Sequence, residues 1–158
     1  MQPASDLHPE SSPRLFDVFF YGLFMDAEVL AERGVVPRLP RLAFIEDHSV
    51  RLESKATLQR ATGKRAYGVL FRLTHDEMDT LYSSMNDYAA EAFLAMPVAG
   101  NHCAGPVAAI SMVHREPPQK GPGGGDSDYG RRWKILAQKL GIPMEPESGT
   151  AHVVPQRC

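Results

Sequence analysis

An α+β fold, a barrel or strongly curved mixed sheet, is predicted by the order of elements along this 158-residue chain: strand, helix, several strands, helix, strands, helix. A doubly wound parallel sheet would need steady alternation of strand and helix, which this order lacks. Length and a 43% hydrophobic content fit one core and one domain, and are too small for two. Residues 1–14 are rich in Ser, Pro, Asp and Glu without apolar periodicity. A disordered leader is therefore expected there, with a single domain over 15–145 and a loosely held tail over 146–158.

The first element is the β-rich run Asp17-Val18-Phe19-Phe20-Tyr21, apolar enough for a central strand. Asp26 to Arg33 then carries helix formers and an acidic first turn, and Gly34 is placed to end it. Pro37 and Pro40 stop that helix, and Leu42 to Leu58 alternates loosely, as half-buried antiparallel strands do. Ala61-Thr62-Gly63-Lys64 reads as a turn. Ala66 to Leu73 is the strongest strand, and it runs into Thr74-His75-Asp76-Glu77, a Thr-x-x-Glu capping box. The helix that follows buries Met78, Leu81 and Tyr82.

Ala92 to Val98 and Val107 to Val113 are predicted strands joined by a turn around Gly100 to Gly105. The segment from Arg115 to Asp128 has the composition of a surface loop. A last helix spans Ser127 to Leu140, with Tyr129, Trp133, Leu136 and Leu140 on one face and Gly141 and Pro143 closing it.

A net charge of −2 and a pI near 6.3 provide no basic surplus, which argues against nucleic acid as a partner. No apolar run approaches the roughly 20 residues of a membrane helix. The start lacks the basic-then-apolar order of a signal peptide, so no membrane association and a cytoplasmic location are expected. Cys103 and Cys158 form no CxxC pair and read as reduced thiols. The six histidines show no metal-ligand spacing, so no metal is expected. The run Gly121 to Gly125 lacks the Lys-Ser/Thr of a phosphate loop, and no Gly-x-Ser-x-Gly elbow is present.

What remains is the unusual run of a strand through Tyr21-Gly22 into Leu23-Phe24-Met25. A glycine there lets a ligand approach the backbone, and N–H groups after it can converge on an anionic or carbonyl oxygen. The plainer alternative is a turn at Gly22 with Leu23, Phe24 and Met25 in the core.

On these residues the chain resembles the gamma-glutamylcyclotransferase-like family, whose strand ends in a Tyr-Gly-x-x-Met/Leu loop. The stretch ATLQRATGKRAYGVLFRLTHDEMDTLY resembles the family's glycine-bearing strand and capped helix, and DSDYGRRWKILAQKLGIP its final helix. The matches come in the family's order and span residues 17 to about 144. The resemblance implies a small mixed or antiparallel β-barrel flanked by short helices, no cofactor, a small-molecule substrate and a monomer or homodimer. It also implies cyclisation of gamma-glutamyl amides: the substrate's α-amine attacks its own γ-carbonyl, releasing an amine and 5-oxoproline. The Tyr21 to Met25 loop (Tyr21, Gly22, Leu23, Phe24, Met25) would grip substrate oxygens, with Tyr88 and Tyr129 walling the pocket.

The family's usual catalytic glutamate falls on Met85 here, and the loop's small polar residue falls on Leu23. A thioether accepts no proton from an ammonium group. Tyr88-Ala89-Ala90-Glu91-Ala92 resembles a Tyr-x-x-Glu-Ala pattern of bacterial relatives, which implies Glu91 as a displaced general base, beside Asp87. The alternative is a solvated Glu91. Lys55 and Arg51, on a predicted strand, are candidates to pair with a substrate carboxylate, although exposed strand lysines are common. Two further functions stay open: a binding module of the same fold for a more hydrophobic ligand, and, ranked below it, a protein-interaction domain.

Overall fold

In the computed structural model, residues 14–52, 55–83, 85, 87–98, 105–114 and 128–143 are described. Residues 1–13 of the expected leader, both cysteines, the Gly121 to Gly125 loop and the tail lie outside them. The elements are β1 (Leu15–Phe20), a 3-10 turn (Leu23–Met25), α1 (Ala27–Glu32), β2 (Arg38–Leu52), β3 (Ala56–Thr74), α2 (His75–Tyr82), β4 (Tyr88–Pro97), β5 (Val107–His114) and α3 (Asp128–Leu140).

The strands close a barrel in the order β1-β3-β2-β4-β5. Neighbours are antiparallel except β1 and β5, whose parallel pairing at Val18 and Ile110 makes the barrel mixed. This is the α+β barrel with short helices that the sequence and the resemblance led us to expect.

The apolar run of β1 has a direct cause: both faces of the strand are covered. Phe19 and Tyr21 point into the barrel with Ile45, Leu70, Ala95 and Ala109. Val18 and Phe20 point outward onto a second core shared with Leu30, Leu81, Trp133 and Leu136 of the helices. A strand buried on both sides reads as a continuous hydrophobic run, and each large side chain so buried contributes roughly 2 kcal/mol.

Two elements differ from the sequence expectation. Residues 61–64 do not end a strand; they bulge out of one long β3, because the β2–β3 register jumps between Glu46 opposite Arg65 and His48 opposite Arg60. Gly63 (φ 81°) and Asp47 (φ 61°) take the left-handed conformations the bulge needs, and the Gly63 N–H donates to Asp47 Oδ1 at 2.9 Å. The fourth strand starts at Tyr88 rather than Ala92, since Tyr88 already pairs with His114.

The capping box forms as expected. The Glu77 N–H donates to Thr74 Oγ1 (3.2 Å), and the Thr74 N–H donates to Glu77 Oε1 (2.9 Å). Glu77 also accepts from the Val36 N–H and from the Arg38 guanidinium, both at 3.0 Å, tying α2 to the chain entering β2.

Candidate functional site

A cavity of about 520 Å³ opens where the turn after β1 meets α3 and the chain between α2 and β4. That volume lies in the range of small-molecule sites. Its walls include Tyr21, Gly22, Leu23, Phe24, Tyr88 and Tyr129, so six residues expected to bind substrate are brought together.

Tyr129 sits at the centre of the polar part. Its hydroxyl accepts the Leu23 N–H at 3.2 Å. Burial raises its pKa, against the Leu23 and Ala56 backbone and the Arg132 charge, which act to lower it. A Cβ at position 22 would lie 2.7 Å from the Tyr129 hydroxyl oxygen. Glycine is therefore required here for close approach, and the oxygen it admits belongs to the protein's own tyrosine. A phenol accepting a backbone N–H retains its own proton to donate to a ligand oxygen.

Tyr21 closes the inner wall, donating its hydroxyl to the Met112 carbonyl (2.8 Å) while its carbonyl accepts the Trp133 indole N–H (2.8 Å). Trp133 thus packs in the core and also clamps α3 onto the end of β1. Burial, then the neighbouring Tyr88 and Tyr129, push the Tyr21 phenol up. Burial, Tyr129 and Asp87 push Tyr88 up to about 12. Near neutral pH these groups are neutral donors.

Met25 is sequestered. The 3-10 turn carries its side chain into the core, where it is 1% exposed, and its N–H donates to the Gly22 carbonyl at 3.0 Å. It does not line the cavity. Glu91 does not line it either. Because β4 begins at Tyr88, a residue three positions on points to the opposite face of the strand. Glu91 shares the barrel-side face with Phe93 and Ala95, is exposed, and, after burial and the two tyrosines, its charge helps to raise the Tyr21 phenol.

The carboxylate that lines the cavity among the described residues is Asp87, 3.9 Å from Lys55, on side chains 59% and 43% exposed. Lys55 also lies 5.5 Å from the centre of the Tyr88 ring. The Lys55 considered from sequence is thus at the cavity, whereas Arg51 is not part of its lining. Met85 lines the cavity too, where the family pattern would carry its acid.

Sequence reasoning missed Arg33, Tyr82 and Arg132. Arg132 follows Tyr129 by three on α3, the spacing that places two side chains on one helix face, so a helical wheel drawn around Tyr129 points to it. The other two come from the ends of α1 and α2, which meet the cavity only through tertiary packing. No cluster of three or more His, Cys, Asp or Glu suited to a metal occurs among the described residues. No helix there is long and apolar enough to cross a membrane.

No family model matches the chain, and no curated protein matches its sequence. Solved structures do match its fold. A gamma-glutamyl cyclotransferase superposes with a TM-score of 0.65 at 15% identity, over 89% of this chain and 94% of that one. An uncharacterized protein from Homo sapiens does so with 0.65 at 16%, over 89% and 94%. A yeast gamma-glutamyl cyclotransferase specific to glutathione gives 0.56 at 10%, over 85% and 90%. At these identities the likeness establishes one property, the gamma-glutamyl cyclotransferase fold.

Proposed function

We propose that this chain uses the gamma-glutamyl cyclotransferase fold to bind a small γ-glutamyl amide or related amino-acid conjugate in the Tyr21–Phe24 cavity and to cyclise it. The observation that carries the reading is the Tyr129 hydroxyl, held in the cavity by the Leu23 N–H with its own proton available to a substrate oxygen. Such a donor, aimed where negative charge develops, is the main requirement of acyl transfer.

The steps balance without water or cofactor. The substrate's α-ammonium gives a proton to Asp87. The freed amine nitrogen bonds to the substrate's own γ-carbonyl carbon, and Tyr129 donates a hydrogen bond to the oxygen as charge builds on it. The leaving nitrogen takes that proton from Asp87 and the C–N bond breaks; the ring nitrogen then gives its second hydrogen, again by way of Asp87, to the departing amine. The products are 5-oxoproline and the amine as its ammonium ion. Holding both reacting groups of one molecule in line supplies much of the acceleration. Asp87 takes the role of base in place of Glu91 because it lines the cavity, where Glu91 does not.

The test is mass-spectrometric detection of 5-oxoproline after incubating pure protein with γ-glutamyl amines, γ-glutamyl dipeptides and glutathione. Release from at least one conjugate is expected. The second reading, a binding module, draws on Met85 in the cavity wall. It expects thermal stabilisation by a conjugate with no product.

A further inference from the structure

The contacts around the cavity arrange its lining in a row. At one end stand Tyr129, Gly22 and Ala56, where the phenol meets the backbone. Arg132, whose charge acts on the Tyr129 phenol, Lys55 and Asp87 bring the first charges, and the Lys55 ammonium lies over the Tyr88 ring. Tyr88 leads to Tyr82 with ring centres 5.8 Å apart, and Tyr82 meets Phe24 edge-to-face, also at 5.8 Å. Phe24 in turn meets Phe20 edge-to-face at 5.9 Å, and the Arg33 guanidinium stands 5.3 Å from the Phe24 ring centre at the far end. Val29, Met85 and Met112 fill in the wall with further apolar surface.

Chemistry therefore changes along the cavity: hydrogen-bond donors with Lys55, Arg132 and Asp87 first, then an aromatic and thioether wall, then a separate cation, Arg33, at its end. A γ-glutamyl group seated at the Tyr129 end would place its leaving portion along the wall, toward Arg33. We infer that the preferred leaving group is an amino acid with an aromatic or large apolar side chain, its free carboxylate paired with Arg33. This rests on the cyclisation reading above and names its substrate class.

The apolar wall rewards a ring or a long aliphatic chain, since edge-to-face aromatic contacts add to simple area burial. The carboxylate matches the guanidinium in charge and fork geometry. Cationic leaving groups are disfavoured, because the lining carries Arg33, Lys55 and Arg132 against Asp87. A polyamine conjugate would bring its positive end to the arginine at the end of the row.

Three conjugates separate these effects: γ-glutamyl-phenylalanine, γ-glutamyl-phenethylamine, which has the ring without the carboxylate, and γ-glutamyl-putrescine, which has a cation in its place. Kd is measured by calorimetry and 5-oxoproline release by mass spectrometry, for the wild type, Arg33→Gln and Arg33→Lys. The wild type is expected to bind the phenylalanine conjugate about tenfold more tightly than the phenethylamine one, and the putrescine one most weakly. Arg33→Gln should remove the tenfold advantage and leave the phenethylamine Kd unchanged, while Arg33→Lys restores part of it.

Equal Kd across the three, tightest binding of putrescine, or an advantage that survives Arg33→Gln overturns the inference. The expected order of Kd without any 5-oxoproline upholds the selectivity and overturns the cyclisation. Equal binding with 5-oxoproline from all three does the reverse. Binding of none overturns both.

Discussion

At the N-terminal end of α2, Glu77 is saturated: the Thr74 and Val36 N–H groups and the Arg38 guanidinium all donate to its carboxylate within 3.0 Å. Beyond the C-terminal end of the same helix, Asp87 stands 59% exposed at a cavity mouth, 3.9 Å from a lysine. Glu77 lies in the first turn of this eight-residue helix, and Asp87 lies in the chain beyond its last residue, Tyr82. The difference lies in what each carboxylate is built to hold. Glu77 is committed to its own chain, where hydrogen bonds to a charged group are worth about 2 kcal/mol. Asp87 is presented at a site whose other polar groups, Tyr129 and Lys55, face the same space.

The change that breaks this contrast hardest is at the site. In Gly22→Val, the new Cβ lies 2.7 Å from the Tyr129 hydroxyl oxygen and must push it aside. We expect about a hundredfold loss in kcat/KM for 5-oxoproline release. Far-ultraviolet circular dichroism should stay unchanged, and activity within threefold of wild type would contradict the role given to Tyr129.

At the other end of the helix the effect should fall on stability. Glu77→Ala removes the cap and the Arg38 pair, and should cost about 2 kcal/mol in urea unfolding. Activity per folded molecule should be unaltered; a matching loss of activity would make Glu77 part of the site.

The pH dependence sharpens the same point. Partial burial acts to raise the Glu77 pKa, but the Arg38, Thr74 and Val36 hydrogen bonds and the Arg38 charge outweigh it, holding the carboxyl near 2 against an ordinary 4.5. A depressed acid stabilises the fold above its unfolded pKa and loses that contribution as pH falls through the folded one. The stability gap between wild type and Glu77→Gln should therefore be full above about pH 5 and shrink toward pH 2. A gap independent of pH would show that the charge of Glu77 contributes nothing.

The smallest effect is expected at Glu91. Exposed and outside the cavity lining, it should tolerate Glu91→Gln with kcat/KM within twofold of wild type. A collapse of turnover would return the base to Glu91.

These two acids also mark how far the sequence could be read. Glu77 was legible because a capping box is local: Thr74 and Glu77 are three residues apart, and their reciprocal bonds need nothing else. The β1 strand, its sharp exit and the α3 face with Tyr129 and Trp133 were legible for similar reasons of short spacing. The setting of Glu91 was not legible because the start of β4 is fixed by pairing with β5, between Tyr88 and His114, which no short window contains. A start four residues early puts Tyr88 and Glu91 on opposite faces of one strand. The burial of the Met25 side chain comes from the 3-10 turn, which carries one residue of a half-buried loop into the core. Asp87 meets Lys55 only because the chain after α2 comes back over the start of β3. The bulge at Gly63 read as a turn because both need a residue at positive φ.

The central claim is that Asp87, at the far end of α2, receives the proton in a cyclisation within the Tyr129 cavity. Its most direct test is 5-oxoproline release measured side by side for the wild type, Asp87→Asn and Glu91→Gln on a γ-glutamyl dipeptide. A loss of about a hundredfold or more confined to Asp87→Asn, with unchanged Tm, is the predicted result. Equal release by wild type and Asp87→Asn would contradict it.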